Sequence, residues 1–398
     1  VSQFYQKYDV NFKRVRATWT LFTIFILSIF FGCDSKKAEI LSGFNNPIEK
    51  EIEIDTIEIS PSQSSQIGFF QMNEEAVFFV DQAYAIIEEF NLKGESQGIK
   101  KQELDGPEEL QGISELIPTM EGFIIRHNYV FYRYDINWGF VGKSVLQFSS
   151  DVSYDELMDN PKGENIGMYE PQNYNSKTSE LPDGNLVTKI DVEHPIFNAF
   201  ISREYYRNGK ILGKINPFTG QVVEISGTRP ASFEAFRFVP FHNKMDYYWT
   251  KDDLIFVTHE IDSLIYIYDI DWNLKETFGT AGIGMNTTYA ESQSLDVAFE
   301  SKYFYDSRKN EGFYKDIFVD EKNGLVFRTY RQGSNRQDLL DETDNPLRIQ
   351  IFKEGKLIGD FATPGRFRIL GKIGEKYVAD GYFDEQNEKQ GFYLLTIN

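Results

Sequence analysis

One heptapeptide occurs twice, and it constrains the fold more than any other feature of this chain. Tyr132-Arg133-Tyr134-Asp135-Ile136-Asn137-Trp138 and Tyr266-Ile267-Tyr268-Asp269-Ile270-Asp271-Trp272 agree at five of seven positions, 134 residues apart. Each copy alternates as Tyr-x-Tyr along one face of a strand. Each then breaks at Asp-x-Asn/Asp, where short polar side chains bond their own backbone in a turn. Recurrence at that distance implies one supersecondary unit used more than once. Looser copies of strand, polar turn and strand lie at 86–104 (IIEEFNLKGESQGIKKQEL), 211–225 (ILGKINPFTGQVVEI) and 349–361 (IQIFKEGKLIGDF). All carry Gly, Pro, Asn or Asp at the turn, as hairpins require.

Other short apolar strands are expected at 76–80, 122–127, 198–206, 254–259, 324–330 and 376–382. No long segment has a capped 3.6-residue period. The helix candidates are short, 153–158 and 335–340, both in insertions. After a leader is removed, about 365 residues remain, more than the ~250–300 that one core serves. Small sheets of about four strands, repeated around the chain, predict an all-β fold, a β-propeller. Turns near Asn91, Asp135, Asn216, Asp269 and Lys353 mark five outer hairpins, spaced by 44, 81, 53 and 84 residues. Insertions at 149–182 and near 331–345 account for the two long spacings. The final strand, 391–397, makes a sixth hairpin position without its outer partner. Residues 52–59 (IEIDTIEI) alternate strictly and stand alone, so they are expected to pair in the last blade and close the ring. The count is six blades, with seven as the alternative.

The start of the chain reads as an address. Lys13, Arg14 and Arg16 precede fifteen uncharged residues, 17–31 (ATWTLFTIFILSIFF), followed by Gly32 and Cys33. Fifteen is short of the ~20 apolar residues of a spanning helix and suits a signal h-region. The segment resembles a bacterial lipoprotein signal. That resemblance implies cleavage after residue 32, lipidation of Cys33, a linker to residue 50 and a folded domain over 51–398. The box departs from the usual one, with Phe30 and Phe31 where Leu and a small residue are common. Two or more acyl chains anchor a protein stably where one does not. The expected location is the cell envelope, tethered to the outer membrane.

Together with this start and the chain length, Phe278-Gly279-Thr280-Ala281-Gly282-Ile283-Gly284 resembles a family of Bacteroidota lipoproteins without an established activity. That family is similar to six-bladed, TolB-like propellers, in which an F-G-x-x-G-x-G stretch links blades. The resemblance implies fold and location, not function.

Charge and composition exclude several chemistries. With 61 acidic residues against 41 Lys and Arg, the net charge of −20 repels a polyanion, so nucleic acid is not an expected partner. One Cys and four scattered His leave no multi-Cys zinc site and no H-x-x-x-H pair, so no metal or cofactor is expected. Gly94-Glu95-Ser96-Gln97-Gly98 fits G-x-S-x-G, but a nucleophile elbow needs a helix after it and an extended segment follows. A hairpin turn explains it. Asp269-x-Asp271-x-Asn273 begins like a calcium loop but lacks the later Gly and Glu. Arg126, Arg203, Arg237, Arg328 and Arg368 each interrupt an aromatic or aliphatic stretch. Two readings compete for them: convergence on an anion at a channel mouth, or pairing with the many carboxylates.

The expected function is a ligand-binding or protein-interaction module of the envelope. Its partners would be the membrane through the lipid, and an envelope protein, peptide or glycan. The alternative is an enzyme on the same scaffold, of glycan lyase, hydrolase or lactonase type, with its site at the channel mouth.

Overall fold

Val77–Asp81 (VFFVD) is buried along its whole length. Its side chains alternate. Phe78 and Val80 pack with Phe123 and Ile125 on one side, and Val77 and Phe79 with Val378 and Phe392 on the other. A strand with two buried faces needs a sheet on each side of its own, and a ring of sheets supplies this at every position. The computed structural model describes residues 51–102, 110, 112–172, 176–192, 194–292, 301–334 and 342–398. Residues 1–32, expected as a targeting segment, Cys33, the expected linker to residue 50 and the helix expected at 335–340 lie outside the described residues.

The chain begins with β1 (Ile52–Ile59) and then builds antiparallel blades in succession. Blade 1 is β2 (Gly68–Met72), β3 (Val77–Asp81), β4 (Ile86–Phe90) and β5 (Ser96–Lys101). Blade 2 is β6 (Glu115–Thr119), β7 (Gly122–His127), β8 (Val130–Asp135) and β9 (Phe140–Val145). In blade 3 two short strands, β10 (Tyr169–Pro171) and β11 (Thr178–Glu180), share the inner position beside β12 (Leu186–Val192), followed by β13 (Leu212–Ile215) and β14 (Val222–Ser226). Blade 4 is β15 (Met245–Trp249), β16 (Ile255–His259), β17 (Leu264–Tyr268) and β18 (Leu274–Gly279). Blade 5 is β19 (Phe313–Asp320), β20 (Leu325–Arg331), β21 (Leu347–Lys353) and β22 (Lys356–Ala362). Blade 6 is β23 (Arg368–Ile373), β24 (Lys376–Asp384) and β25 (Lys389–Ile397), with β1 as its outer strand.

The fold is therefore a six-bladed propeller. Each of its six blade interfaces has its own apolar cluster. Phe70 and Phe79 meet Phe392 between blades 1 and 6. Ile117 and Phe131 meet Leu186 and Ile215 between blades 2 and 3. Phe327 and Ile351 meet Ile369 and Tyr377 between blades 5 and 6. A seventh cluster, around Tyr205, Tyr206, Phe233 and Tyr289, lies under the insertions. β1 closes the ring by pairing antiparallel with β25 from Ile52↔Ile397 to Ile59↔Gln390.

All five predicted outer hairpins are present, and β1 has the predicted bounds. The two heptapeptides end β8 and β17. Asp135 Oδ1 accepts from the N–H groups of Asn137 and Gly139, and Asp269 Oδ1 from those of Asp271 and Asn273. These bonds hold Trp138 and Trp272 at φ of 65° and 61°, and Trp138 folds back to stack on Phe123 at 4.0 Å. The helix expected at 153–158 is α1 (Tyr154–Asp159), capped by Ser153.

Two expectations are corrected. The stretch 198–206, expected as a strand, holds α2 (Arg203–Asn208). Ser202 Oγ accepts from the Tyr205 N–H as an N-cap, and Tyr205 and Tyr206 bury one helix face. The supposed insertion at 149–182 contains the inner strands β10 and β11, whose brevity hid them.

Every blade starts with its inner strand, so the connections sort by face. The turns from inner to second strand and from third to outer strand lie on one face and are short. The remaining connections lie on the other and carry α1, α2 and α3 (Ser301–Asn310). Ile52 and Ile397, the propeller's two ends, meet on the short-turn face.

Candidate functional site

The inner strands surround a central channel of about 1110 Å3. Charged side chains from these strands and their neighbours face it, many of them buried. Physical chemistry requires each to be paired or hydrogen-bonded, and the pairs run between blades. Glu115 of blade 2 accepts from the Thr178 N–H (2.5 Å) and hydroxyl (2.9 Å) of blade 3, and from Arg126 Nε at 3.1 Å. Asp246 of blade 4 accepts from Lys177 Nζ (3.0 Å) and Lys189 Nζ (3.4 Å) of blade 3 and from the Ile317 N–H (2.9 Å) of blade 5. Asp380 of blade 6 accepts from the Phe70 N–H of blade 1 at 3.3 Å. Asp320 accepts from Lys372 and Tyr377 across the interface of blades 5 and 6. Gln71 Nε2 donates to the Leu116 carbonyl from blade 1 to blade 2. Carboxylates thus join successive blades through backbone N–H groups that their own sheets leave open.

Three groups in the channel keep unused capacity. Arg368, the first residue of β23, has one hydrogen bond, from Nη2 to Asp380 Oδ2 at 3.4 Å. Its side chain is 34 % exposed, and that exposure is to the channel. Burial pushes its guanidinium down, but Asp380, Asp316, Asp246 and Glu115 together hold it above its ordinary pKa. Asp316 accepts through Oδ2 from Thr329 Oγ1 at 3.1 Å, which leaves Oδ1 to the channel. Lys315 faces Glu342 at 3.6 Å, an ion pair without a hydrogen bond. Burial pushes the Asp380 carboxyl up. Arg368 and the Phe70 N–H pull it back, Asp316 adds to the rise, and it ends above its ordinary value.

The five arginines named from the sequence occupy separate settings. Arg368 lies on the channel. Arg126, behind it, is 3 % exposed and paired with Glu115. Arg328 is fully buried inside blade 5, donating to Gln350 and to the carbonyls of Ser263 and Thr280, with its guanidinium 3.9 Å from the Tyr314 ring centre. Arg203 opens α2, and Arg237 follows a short 3-10 turn; both guanidiniums lie against Phe238 on the insertion face. The structure does not bring the five together.

The same sequence criterion, a charge inside an apolar strand, finds Asp246, Asp316 and Asp380 when applied to Asp as well as Arg. Lys177 carries no such signal, since its neighbours are polar.

Ser96 is no nucleophile. It lies on the outer strand β5 and donates to the buried Glu88, which also accepts from the Ser62 N–H and hydroxyl. The F-G-x-x-G-x-G stretch leaves β18 as a blade connection, with the N–H groups of Gly282 and Ile283 donating to the hydroxyls of Tyr314 and Tyr330. Asp269 holds its own turn and Lys275. Among the described residues no three His, Cys, Asp or Glu are grouped to hold a metal ion. His194 Nδ1 accepts from its own loop, at the N–H groups of Ile196 and Phe197. His242 Nε2 meets Glu311 at 2.7 Å. His259 is fully buried between Phe233 and Tyr266, and neither ring nitrogen has a hydrogen-bond partner.

No protein-family profile matches the chain. It resembles the crystal structure of a member of the DUF4221 family from Bacteroides vulgatus, with a TM-score of 0.62 at 11% identity, over 88% of this chain and 99% of that one. It also resembles a protein of Bacteroides fragilis provisionally described as exported, with a TM-score of 0.51 at 12% identity over 87% and 95%. At these identities the likeness shows the fold alone. Over 131 residues the chain is 30% identical to the DNA ligase of Variola virus, which is 30% of this chain. It spans 23% of that ligase's length, about a quarter, and no activity follows.

Proposed function

We propose that this chain is an exported, lipid-anchored β-propeller that binds a ligand in its central channel. The observation that carries this reading is the unused hydrogen-bonding capacity of Arg368, Lys315 and Asp316 inside a channel of about 1110 Å3. Charges needed only to staple blades would be satisfied, as Asp246 and Glu115 are. Cys33 is the proposed lipid attachment, and the outer membrane of the cell envelope the proposed location. Nucleic acid is not a proposed partner, since the net charge of −20 opposes it.

Two experiments test this. Labelling cells with an alkyne fatty acid should mark the intact protein and leave Cys33→Ala unmarked; equal labelling removes the anchor. A thermal-shift screen of sugars, peptides and metals should give stabilising hits by mass action. Those hits should vanish in Arg368→Ala, and hits that persist there place the binding elsewhere.

One observation favours a second reading. Asp380, a carboxyl held above its ordinary pKa, neighbours the open carboxylate of Asp316 in the same channel. A carboxyl that holds its proton more tightly than usual, beside a second carboxyl group, is an arrangement that glycoside cleavage uses. Turnover of chromogenic glycosides that is lost in Asp380→Asn would establish it; no turnover across a panel of sugars would remove it.

A further inference from the structure

The open groups in the channel differ in kind. Arg368 and Lys315 offer N–H donors, while Asp316 offers an acceptor oxygen. A partner must therefore both accept and donate within one short reach. Charge narrows the choice further. An anion drawn to Arg368 would also meet the carboxylates that already act on it, Asp380, Asp316, Asp246 and Glu115. A cation drawn to those carboxylates would meet Lys177, Lys189, Lys315 and Arg368, which line the same space. Among the described residues seven carboxylates and five cationic side chains line the space, so the excess of negative charge turns an anion away, and a cation meets the basic groups that already pair with the carboxylates. An apolar ligand would strip water from these charges without replacing its bonds. A hydroxyl group donates once and accepts twice, so a polyol satisfies both kinds of group without a charge of its own.

The walls add a second feature. Trp249, Tyr248 and Phe318 line the channel together, with Tyr248 and Phe318 edge to face at 5.4 Å. Aromatic side chains in the same channel as charged donors suit the apolar faces and hydroxyl rims of a chain of pyranose rings. The volume of about 1110 Å3 exceeds the ~1,000 Å3 upper end of small-molecule pockets, which favours several rings over one.

We infer that the channel takes a neutral oligosaccharide, its hydroxyls shared between Arg368, Lys315 and Asp316 and one ring against Trp249. This rests on the channel being the binding site.

The test uses the full chain in detergent micelles. Calorimetric titrations compare neutral trisaccharides of differing linkage (chitotriose, cellotriose, maltotriose, xylotriose and mannotriose) with de-N-acetylated chitotriose, a cation, and trigalacturonate, an anion. At least one neutral sugar should bind, weakened about tenfold or more in both Asp316→Ala and Trp249→Ala, with circular dichroism unchanged. Charged sugars should bind more weakly than the neutral ones. If only a charged trimer binds, and the channel variants abolish it, the neutral-glycan inference is overturned while the channel reading stands. If a neutral sugar binds equally well to both variants, the channel reading falls. If no sugar binds, the inference is overturned.

Discussion

Closure of the ring can be tested through two glycines of one pentapeptide. Gly94 and Gly98 both have positive φ, +80° and +98°. A Cβ on Gly98 meets nothing within 4 Å, whereas one on Gly94 stands 2.2 Å from the Glu58 carbonyl oxygen of β1 and 3.1 Å from Ile57 Cγ2. Gly98→Ala should therefore destabilise only through its backbone conformation, by ~1–2 kcal/mol. Gly94→Ala carries the same penalty plus an overpacking term of about 1–3 kcal/mol, because the obstacle is backbone in a strand paired along its length with β25. The expected difference between the variants is therefore ~1–3 kcal/mol. Urea unfolding followed by tryptophan fluorescence measures it as a shift in midpoint at constant slope. Hydrogen exchange locates it: amides of β1 should exchange faster in Gly94→Ala than in Gly98→Ala. Equal midpoints and equal exchange in β1 would show that the first blade does not lean on the closing strand, and the account of closure would fail.

Three further outcomes are expected. Burial holds His259 down to about 3, with Asp262 opposing and Arg229 assisting, so folded protein keeps the ring neutral while unfolded chain protonates near 6.5. Stability is then lost as pH falls below 6.5, by about 3 kcal/mol at pH 4.5; His259→Phe should remove that part of the acid limb in urea titrations and change neutral-pH stability by less than about 1 kcal/mol. Glu342 is pushed up by burial but pulled by Arg308 and Lys315 to about 2, against 4.5 unfolded. Its contribution of ~3 kcal/mol is present above pH 4.5 and disappears as pH falls towards 2, so Glu342→Gln should lose it at neutral pH and flatten the acid limb. Glu115→Gln should destabilise by about 3–5 kcal/mol by leaving Arg126 buried without its carboxylate. The double variant with Arg126→Met should recover most of that loss, and a double variant no more stable than the single one would refute the pairing.

Most of the architecture was legible in the chain because its signals are local. A hairpin needs turn residues at fixed offsets, and a sheet with two buried faces needs apolar runs. Asn91, Asp135, Asn216, Asp269 and Lys353 marked their hairpins for that reason. Where a local signal was ambiguous, the reading failed. The aromatic stretch at 198–206 suits a strand or a buried helix face equally, and one serine cap decided for α2. The split inner edge of blade 3 was too short to see, at three residues in each of its strands.

The channel shows the opposite case. Glu115, Lys177, Asp246, Asp316, Arg368 and Asp380 come from blades 2 to 6 and span most of the sequence, and no spacing links them. Arg368 and Arg328 look alike in the chain, each a guanidinium in an apolar strand. Only the fold places one in the lumen and seals the other within blade 5. The sequence alone determined the repeated unit, the turns that mark it and the lone strand that completes the last blade, since these depend on neighbours a few residues apart. Tertiary structure decided which charges meet, because electrostatic partnership depends on distance in space, and ring closure sets that distance between residues hundreds of positions apart.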